Sequence, residues 1–214
     1  MNIAVAQSGG PTCAINASLV GVFRESLKEP SIDAIFGSIN GIEGIIRDHL
    51  VDLKTLIRSN DDMELLRQTP STVLGSCRYK LPDWQEDESV YQTIVQVLKQ
   101  RQIGAFFYIG GNDSMDTVQK LSAYFDHIHL DIKVIGIPKT IDNDLMYTDH
   151  TPGYGSAAKY IATILKEVIC DSSVYNIRSV TVAEIMGRHT GWLAGAASLA
   201  AGADCLSLIH ISEP

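Results

Sequence analysis

Short apolar runs alternate with amphipathic stretches along the first two thirds of the chain. The apolar runs predict strands, over residues 2–7, 33–36, 104–109 and 133–137. Apolar residues at helical spacing predict the intervening helices, over residues 13–27, 87–99 and 114–125. Strands and helices that alternate in this way form a mostly parallel sheet with right-handed crossovers and helices on both faces. We therefore expect an α/β fold with a Rossmann-like sheet.

The rest of the chain divides into a less regular insertion and a new block. Between residues 41 and 82 the pattern predicts short helices near residues 53–57 and 61–67 and a loop over residues 69–78. After Asp144 it predicts a long helix over residues 152–170, a strand over residues 179–185 and a small-residue helix over residues 191–201. We therefore expect a first αβ domain over residues 1–145 and the start of a second, truncated αβ domain over residues 146–205.

The composition is that of an ordinary globular protein and excludes several classes. The chain has 214 residues, of which 45% are hydrophobic and 20% charged, and its formal net charge is −8. Disorder, collagen and coiled coil are therefore excluded. Because the sequence has no basic cluster and no run of about 20 apolar residues, we expect binding neither to nucleic acid nor to a membrane. An acidic chain can still gather a few positive groups around one small phosphorylated ligand.

The cysteines give no sign of a metal site or a disulfide framework. Cys13, Cys77, Cys170 and Cys205 are scattered, without a CxxC pair or a histidine at metal-ligand spacing. The N-terminus also lacks the basic n-region and the cleavage site of a signal peptide. We therefore expect buried free thiols in a cytoplasmic protein.

Two glycine pairs follow predicted strands and precede helices. They are Gly9-Gly10 and Gly110-Gly111. Glycine lets the backbone approach an oxyanion closely, and the helix N–H groups that follow favour negative charge. Each pair alone could be a plain tight turn, but two at one sheet edge indicate a phosphate site. Neither GxGxxG nor GxxxxGK[ST] occurs, so the site is not of the dinucleotide or Walker type.

Charged residues also cluster where predicted strands end. Lys139, Asp142 and Asp144 lie within six residues directly after a strand. A polar turn is the plain alternative, whereas a carboxylate beside an ammonium can accept a proton from an attacking hydroxyl. Asn112 and Asp113 offer oxygen ligands suited to Mg²⁺ at the neighbouring strand end. Together these groups predict a phosphoryl-transfer site.

Five motifs in this order resemble the 6-phosphofructokinase family over residues 1–205. They are the first glycine pair with Asn16, GSCR ending at Arg78, GGNDS from Gly110, PKTIDND from Pro138, and MGRHTGW from Met186. Taken alone, Arg78 and Arg188 could simply be solvated side chains beside glycine. The ordered set of motifs is far more specific than any one of them.

The resemblance implies a role for each matching residue. Asp142 is implied as the base that deprotonates the sugar C1 hydroxyl, with Asp144 and Lys139 supporting it. The implied donor-binding residues are Gly10, Arg78, Gly111, Asp113 and Ser114. The implied sugar-phosphate residues are Thr140, Arg178, Met186, Gly187 and Arg188, with Arg178 acting across a subunit interface. Mg²⁺ is implied on Asn112 or Asp113, and a homo-oligomer is implied for the full-length enzyme.

The resemblance also implies the phosphoryl donor. ATP-dependent members carry glycine where this chain has Asp113 and Lys139, and pyrophosphate-dependent members carry Asp and Lys. An Asp side chain fills the space that a nucleotide needs, and Lys supplies charge beside a small inorganic donor. We therefore expect pyrophosphate and fructose 6-phosphate as substrates. The alternatives are an ATP-dependent enzyme, a generic nucleotide-binding module, and a non-catalytic regulatory subunit, which the intact Asp142 and Asp144 disfavour.

The last nine residues depart from the family pattern. Residues 206–214 read LSLIHISEP and resemble a translated sequencing-library adapter. A genuine strand over residues 206–211 is the alternative. Without this tail, the chain is expected to be the N-terminal part of a longer enzyme.

Overall fold

The computed structural model describes residues 1–208 and divides the chain into two units, Met1–Lys139 and a second unit from Thr140 onward. The first unit contains a five-stranded sheet with the strand order β3-β2-β1-β4-β5. The strands are β1 Asn2–Gln7, β2 Ile35–Ser38, β3 Leu50–Asp52, β4 Ile103–Gly110 and β5 Lys133–Pro138. All neighbours are parallel except β3, which pairs antiparallel with β2 at the edge. The predicted mostly parallel sheet is confirmed.

Helices cover both faces of this sheet, as the pattern predicted. They are α1 Ile15–Ser26, α2 Ile42–Ile46, α3 Leu53–Leu56, α4 Asn60–Gln68, α5 Ser89–Gln100 and α6 Asn112–His127. Side chains alternate between the two faces of β1. Ile3 and Val5 lie in one apolar cluster with α1, α3 and α4, whereas Ala4 and Ala6 lie in another with α2, α5 and α6. Two separate apolar layers therefore hold the sheet between the helices.

The structure adds two elements that the pattern did not predict. α2 and β3 occupy residues 42–52, and they are too short to show a helical or strand period. Gly41 begins α2 with φ 66°, a conformation that favours glycine. Its missing side chain also leaves room for Cys77, because a Cβ there would lie 2.6 Å from the Cys77 Sγ.

The described part of the second unit contains two helices, α7 Tyr154–Ser172 and α8 Trp192–Ala201. These confirm the two predicted helices, although none of the residues of α7 is buried. The prediction of a strand over residues 179–185 is wrong. A strand needs a hydrogen-bonded neighbour, and these residues pair with no strand of residues 1–208; Val180 and Val182 are 91% and 89% exposed. No helix within the described range is both long and apolar enough to cross a membrane.

The cysteines are free thiols, but their predicted burial holds only for Cys77. Cys13 is exposed because it lies on the loop that precedes α1. Cys170 is exposed on α7, and Cys205 is exposed beyond the end of α8. Of the predicted tail, residues 206–214, the part from residue 209 onward lies outside the described residues.

Two glycine-to-alanine changes should shift the stability of the first unit in opposite directions. Gly41→Ala should destabilise it by about 2–4 kcal/mol, because a Cβ meets Cys77 and the backbone is left-handed. Gly21→Ala should stabilise it by up to about 1 kcal/mol, because Gly21 is exposed within α1 and a Cβ there meets nothing within 4 Å. Urea unfolding followed by circular dichroism measures both. Equal effects of the two substitutions would contradict the geometry at Gly41.

Candidate functional site

The two glycine pairs meet at the carboxyl edge of the sheet in the first unit. β1 and β4 run side by side, and the Ser8 N–H donates to the Ile109 carbonyl at 2.9 Å. Gly9 has φ +78°, and a Cβ there would lie 3.5 Å from the Gly111 nitrogen. Gly111 is also the N-cap of α6, which has no side-chain cap. A helix N-terminus without a side-chain cap favours negative charge at this edge of the sheet.

Lys139 brings a buried positive charge to the same place. It follows β5, and its N–H donates to the Gly110 carbonyl at 2.9 Å. The side chain is buried, with only 4% of the residue exposed, and its ammonium donates to the Gly10 carbonyl. A buried ammonium requires polar partners, because desolvation of a charge is costly. We call Gly9, Gly10, Gly111 and Lys139 the glycine cradle, a group suited to a small phosphate-bearing anion.

The start of α6 adds oxygen ligands beside the glycine cradle. Asn112 and Asp113 are exposed in its first turn, and Ser114 is buried. A side chain on Gly110 would overlap the Ser114 hydroxyl, so glycine is required there. Residues 1–208 hold no cluster of three or more acidic, histidine or cysteine side chains that could bind a metal. The side-chain oxygens of Asn112 and Asp113 are of the kind that holds Mg²⁺ when substrate phosphates and water supply the other ligands.

A buried amide pair holds the loop that precedes Arg78. The Gln7 Nε2 donates to the Asn16 Oδ1 at 2.9 Å, and the Gln7 Oε1 accepts the Leu74 N–H at 3.1 Å. The Asn16 Oδ1 also accepts the Val73 N–H at 3.1 Å, and its Nδ2 donates to the Thr69 carbonyl at 3.0 Å. Sequence reasoning noted Asn16 only as part of a motif and missed Gln7. The sequence did carry a signal for Gln7, because it is an amide residue at the end of an apolar strand.

Further hydrogen bonds place the end of this loop against the first glycine pair. The Ser76 hydroxyl donates to the Gly9 carbonyl at 2.7 Å, and the Ser8 hydroxyl donates to the Cys77 carbonyl at 3.2 Å. The Asn40 side chain donates to the Ser76 carbonyl at 3.1 Å. Arg78 follows directly and is exposed. The loop therefore contacts the glycine cradle at Ser76, two residues before the exposed Arg78.

Tyr108 lies beneath this edge and supports the same loop. Its hydroxyl accepts the Ile42 N–H at 3.3 Å and lies 3.7 Å from the Cys77 Sγ. Burial is the main reason that the pKa of Tyr108 is raised above its usual range. The phenol is therefore neutral and adds no charge near the glycine cradle.

In the second unit, the structure brings two predicted motifs together. The Thr190 hydroxyl donates to the Asp142 carbonyl at 2.7 Å, which joins MGRHTGW to PKTIDND. The Asp142 N–H donates to the Thr140 hydroxyl at 3.1 Å. Asn143, with φ 57°, accepts the Thr151 N–H at 2.9 Å. These contacts fix the backbone on both sides of the Asp142 side chain. Sequence reasoning missed Thr151 and noted Thr190 only as part of MGRHTGW.

The remaining predicted residues of the second unit lie nearer to solvent. Met186, Arg188 and Arg178 are exposed, and Asp144 is half-buried. The fold requires glycine at position 187, because a Cβ there would overlap the Thr190 carbonyl oxygen. The exposed Arg188, which lies in this folded turn, suits an anionic ligand.

Comparisons with known proteins agree with these motifs. The phosphofructokinase family model matches residues 2–213. A pyrophosphate–fructose 6-phosphate 1-phosphotransferase of Rhodospirillum rubrum is 42% identical over 92% of this chain, and an ATP-dependent 6-phosphofructokinase of Pectobacterium carotovorum is 32% identical over 98%. The crystal structure of a pyrophosphate-dependent phosphofructokinase from Nitrosospira multiformis matches 93% of this chain with a TM-score of 0.84 and 42% identity.

These relatives are longer than the region that they share with this chain. The chain covers 46% of the Rhodospirillum protein and 60% of the Pectobacterium protein. It covers 49% of the Nitrosospira chain. The chain thus spans about half the length of the pyrophosphate-dependent relatives.

Proposed function

Because the chain belongs to the phosphofructokinase family, we propose that the enzyme containing it transfers a phosphoryl group from pyrophosphate to fructose 6-phosphate. The products are fructose 1,6-bisphosphate and phosphate, and the reaction is reversible. The observation that carries the proposal is the buried Lys139 ammonium within the glycine cradle. The names of relatives at 42% identity support the same donor and sugar.

The charges at this edge favour a small inorganic donor over a nucleotide. Asp113 places a carboxylate at the start of α6, where it would fill nucleotide space and repel an α-phosphate. Lys139 offsets negative charge that develops on the oxygen between the two phosphates of pyrophosphate. The ATP-dependent relative at 32% identity makes ATP the alternative donor.

We assign proton transfer to Asp142. Its carboxylate accepts the proton of the sugar C1 hydroxyl as that oxygen bonds to phosphorus and the bond to the leaving phosphate breaks. The hydrogen bonds from Thr190 to the Asp142 carbonyl and from its N–H to Thr140 orient the backbone that bears this group. Such a reaction depends on positioning and charge neutralisation, which the glycine cradle and the arginines supply.

The exposed residues of the second unit are proposed to bind the sugar. Arg178, Met186, Gly187 and Arg188 would hold fructose 6-phosphate, with Arg178 reaching it across a subunit interface of a homo-oligomer. Asn112 and Asp113 would hold Mg²⁺, which neutralises charge on the phosphates when bound. We place the enzyme in the cytoplasm. A non-catalytic regulatory subunit is disfavoured because both Asp142 and Asp144 are present.

Donor choice is tested by removing the two charges separately in the complete enzyme. Lys139→Met should lower kcat/KM for pyrophosphate by about 100-fold or more, because it removes an ammonium that acts on developing charge. Asp113→Gly should raise the ratio of ATP to pyrophosphate use, since it opens space and removes repulsion. The measurement is kcat/KM with each donor in the parent, both variants and the double variant.

Asp116→Gly is the matched control, because it puts a glycine one turn further along α6. It should leave the donor ratio unchanged. Efficient use of ATP by the parent enzyme would contradict pyrophosphate as donor. A donor ratio in Asp113→Gly equal to that of the parent would contradict the steric role of Asp113.

The role of Asp142 is tested by an isosteric change. Asp142→Asn should lower kcat by about 100- to 10,000-fold with little change in fructose 6-phosphate KM, because only the proton acceptor is lost. Asp149→Asn in the same segment is the control, since Asp149 is exposed and contributes its backbone carbonyl to Asn143. Steady-state kinetics of both variants decide the matter. Near-normal turnover in Asp142→Asn would remove Asp142 from the role of base.

A further inference from the structure

We propose that the buried amide pair of Gln7 and Asn16 positions the loop of residues 69–78 and thereby controls affinity for the phosphoryl donor. The inference rests on the proposed function, because it takes Arg78 as a donor-binding group. Gln7 and Asn16 would be positioning residues, which act through the loop rather than by touching the donor.

The pair is fully buried and uses its amide groups to hold one segment. Gln7 is 0% exposed and Asn16 is 1% exposed. Besides bonding to each other and to the Ile15 carbonyl at 3.2 Å, they bond to three backbone groups of the loop, those of Thr69, Val73 and Leu74. The pair therefore replaces the regular backbone pairing that this loop lacks.

Stability alone does not explain two amides at this place. A buried amide must recover by hydrogen bonding what it loses by desolvation, and an apolar side chain would pack there without that cost. The other inward-facing residues of β1 are apolar, from Ile3 to Ala6. What the amides add is a fixed loop conformation, since each bond requires one position of the loop backbone.

The last residues of the loop are hydrogen-bonded to the proposed donor site, so a change in the loop conformation would be felt there. Ser76 donates to the Gly9 carbonyl, and the Cys77 carbonyl accepts from Ser8. Arg78 is the next residue and is exposed toward solvent. A displacement of about 1 Å in a positioning element can cost about 100-fold in rate or affinity. Loss of the amide bonds should therefore weaken donor binding even though the amides lie beneath the surface.

The first test changes Asn16 to Asp in the complete enzyme. The substitution replaces the Nδ2 donor by a carboxylate oxygen that would face the Thr69 carbonyl, so the loop must move. We expect the pyrophosphate KM to rise about tenfold or more and the fructose 6-phosphate KM to stay within about twofold.

Asn2→Asp is the matched control at the opposite end of β1. Asn2 also joins two backbone groups, donating to the Arg101 carbonyl at 2.8 Å and accepting the Ala34 N–H at 3.1 Å. The same chemical change there should lower the melting temperature without raising the pyrophosphate KM. A rise equal to that of Asn16→Asp would overturn the inference, because any loss of stability in β1 would then suffice.

A second variant removes a hydrogen bond of the amide pair by a substitution in the loop and leaves the buried residues unchanged. Val73→Pro removes the N–H that donates to the Asn16 Oδ1, and Val73 is 47% exposed. Val73→Ala keeps the N–H and is its control. Val73→Pro should raise the pyrophosphate KM, and Val73→Ala should not. This pair decides the question if Asn16→Asp fails to fold.

A double variant with Arg78→Ala tests whether the effect passes through that arginine. If it does, Val73→Pro should add little to the pyrophosphate KM of Arg78→Ala. An unchanged pyrophosphate KM in Val73→Pro, or the same factor with and without Arg78, would overturn the inference while the proposed function stands. A parent enzyme that does not turn over pyrophosphate would overturn both.

Discussion

The parallel pairing of β1 with β4 is the constraint on which the first unit depends. In this register Gln7 lies opposite Ile109, so the two strands end together and their glycine pairs meet. β5 continues the same arrangement, with Pro138 opposite Gly110, and therefore delivers Lys139 to that edge. A shift of one residue in either pairing would move these groups and turn the buried side chains to the other face.

The glycine cradle, the proposed donor site, is mostly backbone, with few charges. A chain with net charge −8 binds an anion only where local groups outweigh the general field. The buried ammonium of Lys139 and the N–H groups at the start of α6 supply such a place in the first unit. In the second unit, hydrogen bonds instead hold the backbone that carries the Asp142 carboxylate. We propose anion binding for the groups of the first unit and proton transfer for Asp142 of the second.

Sequence reasoning predicted the elements whose pattern is local. Asn2–Gln7 is a continuous apolar run, the long helix α6 has a clear helical period, and the glycine pairs mark the strand ends. α2 and β3 were missed because they are shorter than a period can reveal. Residues 179–185 have the alternation of a strand, but a strand also requires a neighbour, which no local pattern specifies. The link between Gln7 and Leu74 joins residues far apart in the chain, so only the fold reveals it.

A crystal structure of the complete enzyme with pyrophosphate and Mg²⁺ tests the central claim most directly, namely that the glycine cradle holds the phosphoryl donor. The prediction is that phosphate oxygens lie within hydrogen-bonding distance of the Gly10 and Gly111 N–H groups and of the Lys139 ammonium. Pyrophosphate bound away from the carboxyl ends of β1 and β4, with Lys139 unmoved and out of contact with it, would contradict the claim.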